Sequence, residues 1–407
     1  MERKNLNIGL FGFGCVGLGL YEVLEQTPSL NARIKRICVK SRDKQRPLPQ
    51  EAFTFNASEL LEDEEINTIV ELIDDSDAAF AIVRQAMQKG KAVVTANKKM
   101  IAEHFEELIA LQVEYGVPLL YEAACCASIP IIRNLEEYYD TDLLESVGGI
   151  VNGSTNYILT KTALENKSYP EALQEAQALG YAESNPALDV GGFDAKFKLL
   201  ILIAHAFGLV VRPEQIFNLG IDNLGELELA YAREKGYKIK LIAHAERNAD
   251  GRIAALVVPK FVREEEKLYS VDEVYNGIQT KSRLSDVQFF VGKGAGAYPT
   301  ASAVISDISA LSYGYKYEYK KLNKEDQLIP VEEIFLKVFL RHDLAYGFEF
   351  KRYFDDISES YVNQDSGYII GTISLANLQE IRSREHAETS VVLFEVLKES
   401  LVEDGSW

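Results

Sequence analysis

Residues Gly12-Phe13-Gly14-Cys15-Val16-Gly17 form a G-x-G-x-x-G loop between an apolar run, Ile8 to Phe11, and a stretch of helical spacing, Val16 to Leu24. A strand, a glycine turn and a helix in that order make the dinucleotide-binding fingerprint. The first glycine permits the tight turn, the second lets a pyrophosphate approach the backbone, and the third lets the helix pack on the strand. The helix N-terminus then turns its free N–H groups toward the phosphates. Glycine also marks ordinary turns, so it is the strand and helix around the loop that make the pattern specific. Gly12, Gly14, Cys15, Val16 and Gly17 are therefore the first candidate cofactor residues.

The pattern continues as strands alternating with helices. Strands are expected at Ile34 to Lys40, Ile66 to Ile73, Lys91 to Thr95 and Val117 to Tyr121, with helices from Ala78 to Lys89 and from Met100 to Tyr115, each followed by glycine. Such alternation implies a doubly wound parallel sheet with helices on both faces. Ligands of such sheets sit at the C-terminal strand ends. Two segments fall there: Thr95-Ala96-Asn97-Lys98, and Glu122 through Pro130 with its adjacent Cys125 and Cys126.

Cofactor choice is read after the second strand. An acid there would bind the ribose 2′-hydroxyl of NAD. Here Lys40, Arg42 and Lys44 occupy the position, which suits the 2′-phosphate of NADP, and Asp43 is the one residue that favours NAD. The alternative is a solvated basic turn. These cations stand out because the 407-residue chain carries a formal net charge of −19, which opposes nucleic acid and anionic membranes over most of the surface. The N-terminal apolar run is broken by glycines, and Glu22 and Glu25 arrive too early for a signal peptide. No stretch has the unbroken apolar length of a membrane helix. A soluble, cytoplasmic protein is expected. Four cysteines do not make a disulfide framework, the cysteine pair has no base near it in sequence and is read as buried packing, and the five histidines show no metal-ligand spacing.

A second cluster lies between positions 181 and 198. Glu183, Asp189 and Asp194 supply carboxylates, and Lys198 an ammonium, just ahead of an apolar helix from Leu199 to Phe207. Asp194 and Lys198 are four residues apart and share one helical face. The cluster suits a small zwitterion and a proton donor. Its bland reading is a surface helix start with an internal salt bridge.

Taken together these segments resemble the homoserine dehydrogenases. The resemblance is carried by the fingerprint, Val94-Thr95-Ala96-Asn97-Lys98, Tyr121-Glu122-Ala123-Ala124 before Ile129-Pro130, the run Gly149-Ile150-Val151-Asn152-Gly153-Ser154-Thr155-Asn156, the 180–198 segment, and Gly292-Lys293-Gly294-Ala295-Gly296, in family order over roughly residues 5 to 313. It implies NAD(P)H-dependent interconversion of L-aspartate 4-semialdehyde and L-homoserine. It also implies an α/β architecture: a Rossmann-type domain over 1–130 and 291–321, an α+β catalytic and dimerisation domain over 131–290, and a small C-terminal α+β, ACT-like domain over 322–407. Lys98 would lie beside nicotinamide and substrate, Glu183 would bind the substrate ammonium, Asp194 and Lys198 would stand at the reacting carbonyl, and Asp189 would lie near the substrate. Thr95, Asn97, Gly294 and Gly296 would join the cofactor set. A monovalent cation, Na+ or K+, would be held by Glu122 and by carbonyls of Cys125, Ala127 and Ile129. A homodimer or homotetramer acting on a small molecule is implied.

The chain departs from the family at three places. Asp74-Asp75 stands where Gly-Gly is usual, and two carboxylates there would repel a pyrophosphate unless the loop points elsewhere. Ala127-Ser128 replaces a second Gly-Gly beside the cation site. The tail lacks an Arg-Pro-Gly turn after its first strand, Ile334 to Arg341, and has His342-Asp343-Leu344-Ala345-Tyr346-Gly347 instead. Residues 323–326 read as a linker, Tyr368 to Ile373 and Ser390 to Phe394 as strands, and Ala376 to Ile381 as a helix. Independently of the family, aldehyde reduction needs a hydride donor, a cation or acid at the carbonyl oxygen, and a proton. Lys98 and Lys198 are both candidates for the acid. Two other readings are a related amino-acid semialdehyde dehydrogenase and a non-catalytic NADPH-binding regulatory protein. A regulator would not need Lys98, Glu183, Asp194 and Lys198 together.

Overall fold

The computed structural model describes residues 3–140, 143–322, 326–384 and 389–397, so most of the expected linker, residues 323–325, lies outside it. Packing divides the chain into two compact units: residues 1–144, 197–215 and 291–323, and residues 145–196, 216–290 and 324–407.

The first unit is built on a six-stranded sheet. In chain order its elements are β1 (Leu6–Phe11), α1 (Cys15–Gln26), β2 (Ala32–Cys38), β3 (Phe53–Thr54), α2 (Ser58–Leu61), β4 (Thr68–Glu71), α3 (Ser76–Gln88), β5 (Ala92–Thr95), α4 (Lys98–Glu103), α5 (Phe105–Tyr115) and β6 (Leu119–Leu120). The strand order is β3-β2-β1-β4-β5-β6 and every pairing is parallel, the Rossmann arrangement. Ile8, Leu10, Ile69, Val70, Val93 and Val94 are fully buried. A sheet covered on both faces needs such continuous apolar strands. The helix expected from Met100 to Tyr115 is two helices, because His104 leaves helical geometry at φ −122° and lays its ring flat on Phe80 of α3, 3.7 Å between centroids.

The second unit is built on a ten-stranded mixed sheet. The remaining elements in chain order, of which α11 and α9 from Phe197 onward belong to the first unit, are β7 (Leu144–Ile150), α6 (Gly153–Leu164), α7 (Tyr169–Ala178), α8 (Ala187–Val190), α9 (Phe193–Phe207), β8 (Phe217–Asn218), α10 (Glu226–Lys235), β9 (Lys238–Arg247), β10 (Ile253–Val262), β11 (Tyr275–Ser282), β12 (Asp286–Lys293), α11 (Ala297–Ser312), β13 (Phe335–Asp343), α12 (Gly347–Phe350), β14 (Phe354–Val362), β15 (Ser366–Ser374), α13 (Leu375–Arg382) and β16 (Ser390–Leu397). The order is β12-β11-β7-β9-β10-β16-β13-β15-β14, with β8 added beside β10. The C-terminal strands thus continue the central sheet through the parallel β10–β16 contact. Among themselves they run β-α-β-β-α-β with order β16-β13-β15-β14, the split-βαβ topology. Alternation along β13 sends Leu336, Val338 and Leu340 into one core with Ile369, Ile373, Leu378 and Ile381, and with Leu256 and Val258 of β10. No helix among the described residues is long and apolar enough to cross a membrane.

Candidate active site

The fingerprint loop follows β1 in the first unit. Gly12 has φ +92°, and a Cβ there would meet the Leu72 carbonyl oxygen at 2.5 Å. A Cβ on Gly17 would meet the Gly12 carbonyl oxygen at the same distance. These two glycines are needed for the turn and for the helix to lie on it. A Cβ on Gly14 would meet nothing within 4 Å, so open space faces the middle of the loop, as a phosphate requires. Gly14 caps α1, Cys15 and Val16 open it, and its first turn holds no acidic residue. Its leading N–H groups have no partner within the helix. Gly294 and Gly296 belong to the same unit. Gly296 caps α11, which packs on α1: Ala297 backs against Gly19, and the Tyr298 hydroxyl donates to Glu22 at 2.8 Å.

Beyond β2, Lys40, Arg42 and Lys44 are exposed. Arg42 and Lys44 line a cavity of about 590 Å³ with Arg46, Gln50, Phe53 and Phe55. Arg42 stacks over the Phe55 ring at 4.8 Å and Arg46 over Phe53 at 5.2 Å. Cations against aromatic faces suit a heteroaromatic base beside a phosphate. Arg46 escaped the sequence reading because it lies past the position where an acid or cation is normally sought.

The ends of β4 and β5 are joined by Glu71, which is 0% exposed. Its carboxylate accepts the Ile73 N–H at 2.6 Å and the Thr95 hydroxyl at 2.5 Å. The Thr95 oxygen in turn accepts the Asn97 N–H at 3.0 Å. Asn97 donates to the Ile73 carbonyl at 3.2 Å and caps α4 by accepting the Met100 N–H at 3.0 Å. Lys98 is the first residue of that helix and is half-buried. Burial pushes the Glu71 carboxyl up to about 7; the bonds from Thr95 and Ile73 pull it back, and the Asp74 charge pushes it further. One of the two aspartates of the departing loop is also explained. Asp75 caps α3, accepting the Ala78 N–H at 3.0 Å, so that carboxylate is committed to its own helix.

The second unit gathers the carboxylates. Asp189 lies on α8 and Asp194 in the first turn of α9. Both accept from the Asn152 amide, at 2.7 Å and 2.8 Å. Asp194 and Lys198 sit on α9 as its helical spacing requires, and each is more than nine-tenths buried. Glu183 is exposed, and its backbone carbonyl accepts from Gln177 at 3.0 Å. Asn152 was visible in the sequence only as part of a motif, without a role.

At the expected cation site Glu122 is buried, and its carboxylate accepts the Ile132 and Arg133 N–H groups at 2.8 Å and 3.0 Å. Burial pushes its carboxyl up, against the Arg133 and Ile132 bonds. Cys126 and Ala127 have φ +56° and +40°. Ala127 therefore takes the left-handed conformation that a glycine supplies without strain. Cys125 and Cys126 are buried, and the Cys125 thiol donates to the Lys198 carbonyl at 3.7 Å. Among the described residues no cluster of three or more His, Cys, Asp or Glu side chains could hold a metal ion.

Two family models match: "Homoserine dehydrogenase" over residues 130–309 and "Homoserine dehydrogenase, NAD binding domain" over residues 12–122. A homoserine dehydrogenase of Helicobacter pylori is 37% identical over 346 residues, covering 82% of this chain and 80% of that protein. One from Synechocystis is 40% identical, covering 74% and 72%. One from Mycobacterium leprae is 32% identical and covers 99% of this chain and 89% of its own. Among solved structures, a homoserine dehydrogenase from Thiobacillus denitrificans superposes with a TM-score of 0.84 at 29% identity, covering 97% of this chain and 99% of that one. A hyperthermophilic archaeal homoserine dehydrogenase in complex with NADPH gives 0.67 at 27% identity, covering 77% and 99%.

Proposed function

The chain belongs to the homoserine dehydrogenase family, NAD(P)-dependent oxidoreductases, and we propose that it interconverts L-aspartate 4-semialdehyde and L-homoserine with NADP(H) in preference to NAD(H). The observation that carries this reading is the α8–α9 carboxylate group, Asp189 and Asp194 on the Asn152 amide, with Lys198 one turn after Asp194 on α9; the open-centred fingerprint loop of the first unit supports it separately.

When bound, NADPH supplies the hydride. The chain's own residues do the rest. Asn97 and Thr95 fix the turn that presents Lys98. Lys98 and Lys198 are the two ammonium groups assigned to the reacting oxygen, where positive charge stabilises the developing alkoxide and a proton is delivered. Lys198 is 7% exposed. Asp194, one turn before Lys198, orients it. Glu183 takes the substrate ammonium and Asp189 supports the polar end of the substrate. On the cofactor side Gly12, Gly14, Cys15, Val16 and Gly17 cradle the pyrophosphate, Gly294 and Gly296 border it, and Lys40 and Arg42 meet the 2′-phosphate. A monovalent cation held by Glu122 and the carbonyls of Cys125, Ala127 and Ile129 is part of the same proposal, as are dimerisation through residues 131–290 and an ACT-like fold for 322–407. The left-handed Ala127 and the split-βαβ order of the last four strands support the first and third of these.

Substrate class is tested by omitting the ammonium. Homoserine should be oxidised at least ~10-fold more efficiently than 4-hydroxybutyrate, the low end for a hydrogen bond to a charged group. Glu183→Gln should narrow the gap by raising KM for homoserine. Equal kcat/KM for the two alcohols contradicts the assignment.

A further inference from the structure

Asn152 stands at the N-cap of α6 and is 5% exposed. Its side chain makes four hydrogen bonds. Oδ1 accepts the Thr155 N–H at 2.8 Å and the Thr155 hydroxyl at 3.0 Å. Nδ2 donates to Asp189 Oδ1 at 2.7 Å and to Asp194 Oδ2 at 2.8 Å. A primary amide has two donors and one oxygen with two lone pairs, so its capacity is used in full. Its orientation is also fixed. Turning the amide over would set its oxygen against two carboxylates and its NH₂ against a backbone N–H.

Two carboxylates sharing one site repel, and the usual outcome is that one takes up a proton. An N–H bond to each favours the ionised form of both. One residue therefore ties the start of α6 to α8 and α9 and offsets the repulsion between them. We infer that Asn152 is a positioning residue for the reaction: it holds Asp189 and Asp194 in fixed relation to each other, without itself touching the substrate. This rests on the proposed roles of those two aspartates.

The helix that carries Asn152 is anchored independently one turn on. Lys240 Nζ donates to Asn156 Oδ1 at 2.9 Å, to the Val271 carbonyl at 2.6 Å and to Asp272 at 2.9 Å. Asn156 donates to the Val271 and Tyr275 carbonyls at 3.1 Å and 3.0 Å. A change at Asn152 that keeps a capping acceptor leaves α6 in place.

Two variants separate clamp from cap. Serine and aspartate both cap helices well. Asn152→Ser offers a single short donor in place of two, and Asn152→Asp sets acceptor oxygens where the donors were. Both should fold and bind NADPH as the parent does, with KM for NADP+ unchanged and kcat for homoserine lowered by ~10- to 100-fold, the range for charged hydrogen bonds. The acidic limb of the pH–rate profile should move to higher pH, further in the aspartate variant. Parent-like kcat and pH profile in Asn152→Asp overturn the inference. So does a loss of activity that follows lowered stability while the acidic limb stays in place, since that is capping alone. If Asn152→Ser fails to fold, Asn152→Asp decides the matter. A parent that does not oxidise homoserine overturns the functional reading itself, and this inference with it.

Discussion

Glu71 joins two strand ends through a carboxyl group that water does not reach, and its cost is pH-dependent. Its folded value of about 7 lies above the ordinary 4.5. Between those values the native state holds a proton that the unfolded chain has released. Stability therefore falls as pH rises from about 4.5 to about 7 and is level beyond. The ceiling on the loss is ~3 kcal/mol. Glu71→Gln keeps the shape and cannot ionise. Its melting temperature relative to the parent should be highest above pH 7 and decline toward pH 5; a difference that does not vary with pH contradicts the account. Neither Glu71 nor Asn152 was legible as an individual residue. Each acts through partners 24 to 42 positions away in sequence, and a single chain without its fold gives no sign of such pairings. The fingerprint glycines were legible because their partners are local: Gly17 closes on Gly12 five residues earlier.

Elements were readable where burial imposes a period. β1, β4 and β5 are apolar because both sheet faces are covered, and α3 ends before Gly90 as expected. β14 was missed. Its sequence Phe354-Asp355-Asp356-Ile357-Ser358-Glu359-Ser360-Tyr361-Val362 is exposed along nearly its whole length at the edge of the sheet, so neither face imposes alternation. Its charges blunt that edge against further pairing. The segment between β2 and β3 is the one proposed to carry the cofactor choice. Arg42, stacked on Phe55, faces the cavity in which the proposed 2′-phosphate is held. Arg42→Ala should lower kcat/KM for NADP+ by ~10-fold or more and leave NAD+ use nearly unchanged, since a charge-assisted bond is lost only with the phosphorylated cofactor. Equal losses with both cofactors would show that Arg42 supports the fold of the loop and does not read the phosphate.

For the whole molecule, the C-terminal segment is expected to support assembly more than sensing. Leu336, Val338 and Leu340 share a core with Leu256, Val258 and Leu219, so removing the tail strips apolar cover from the central sheet. Where an Arg-Pro-Gly turn is usual, His342 is buried and bonded to the Asp343 carbonyl at 2.8 Å, and a Cβ on Gly347 would meet its ring at 2.4 Å. Deletion of residues 323–407 should lower the melting temperature or change the elution volume on gel filtration, while threonine should have little effect on the intact enzyme. Strong threonine inhibition that vanishes on truncation, with assembly intact, would make the tail a regulatory domain. The proposed activity, however, rests on two lysines, 98 at the start of α4 and 198 in α9. The most direct measurement is the initial rate of NADPH formation from L-homoserine and NADP+, followed by absorbance, in the parent, Lys98→Ala and Lys198→Ala. The parent should turn over, and each variant should be slower by at least ~10²-fold with its fold retained, the low end for general acid–base help. No homoserine-dependent signal in the parent, or near-parent rates in both variants, would contradict the account.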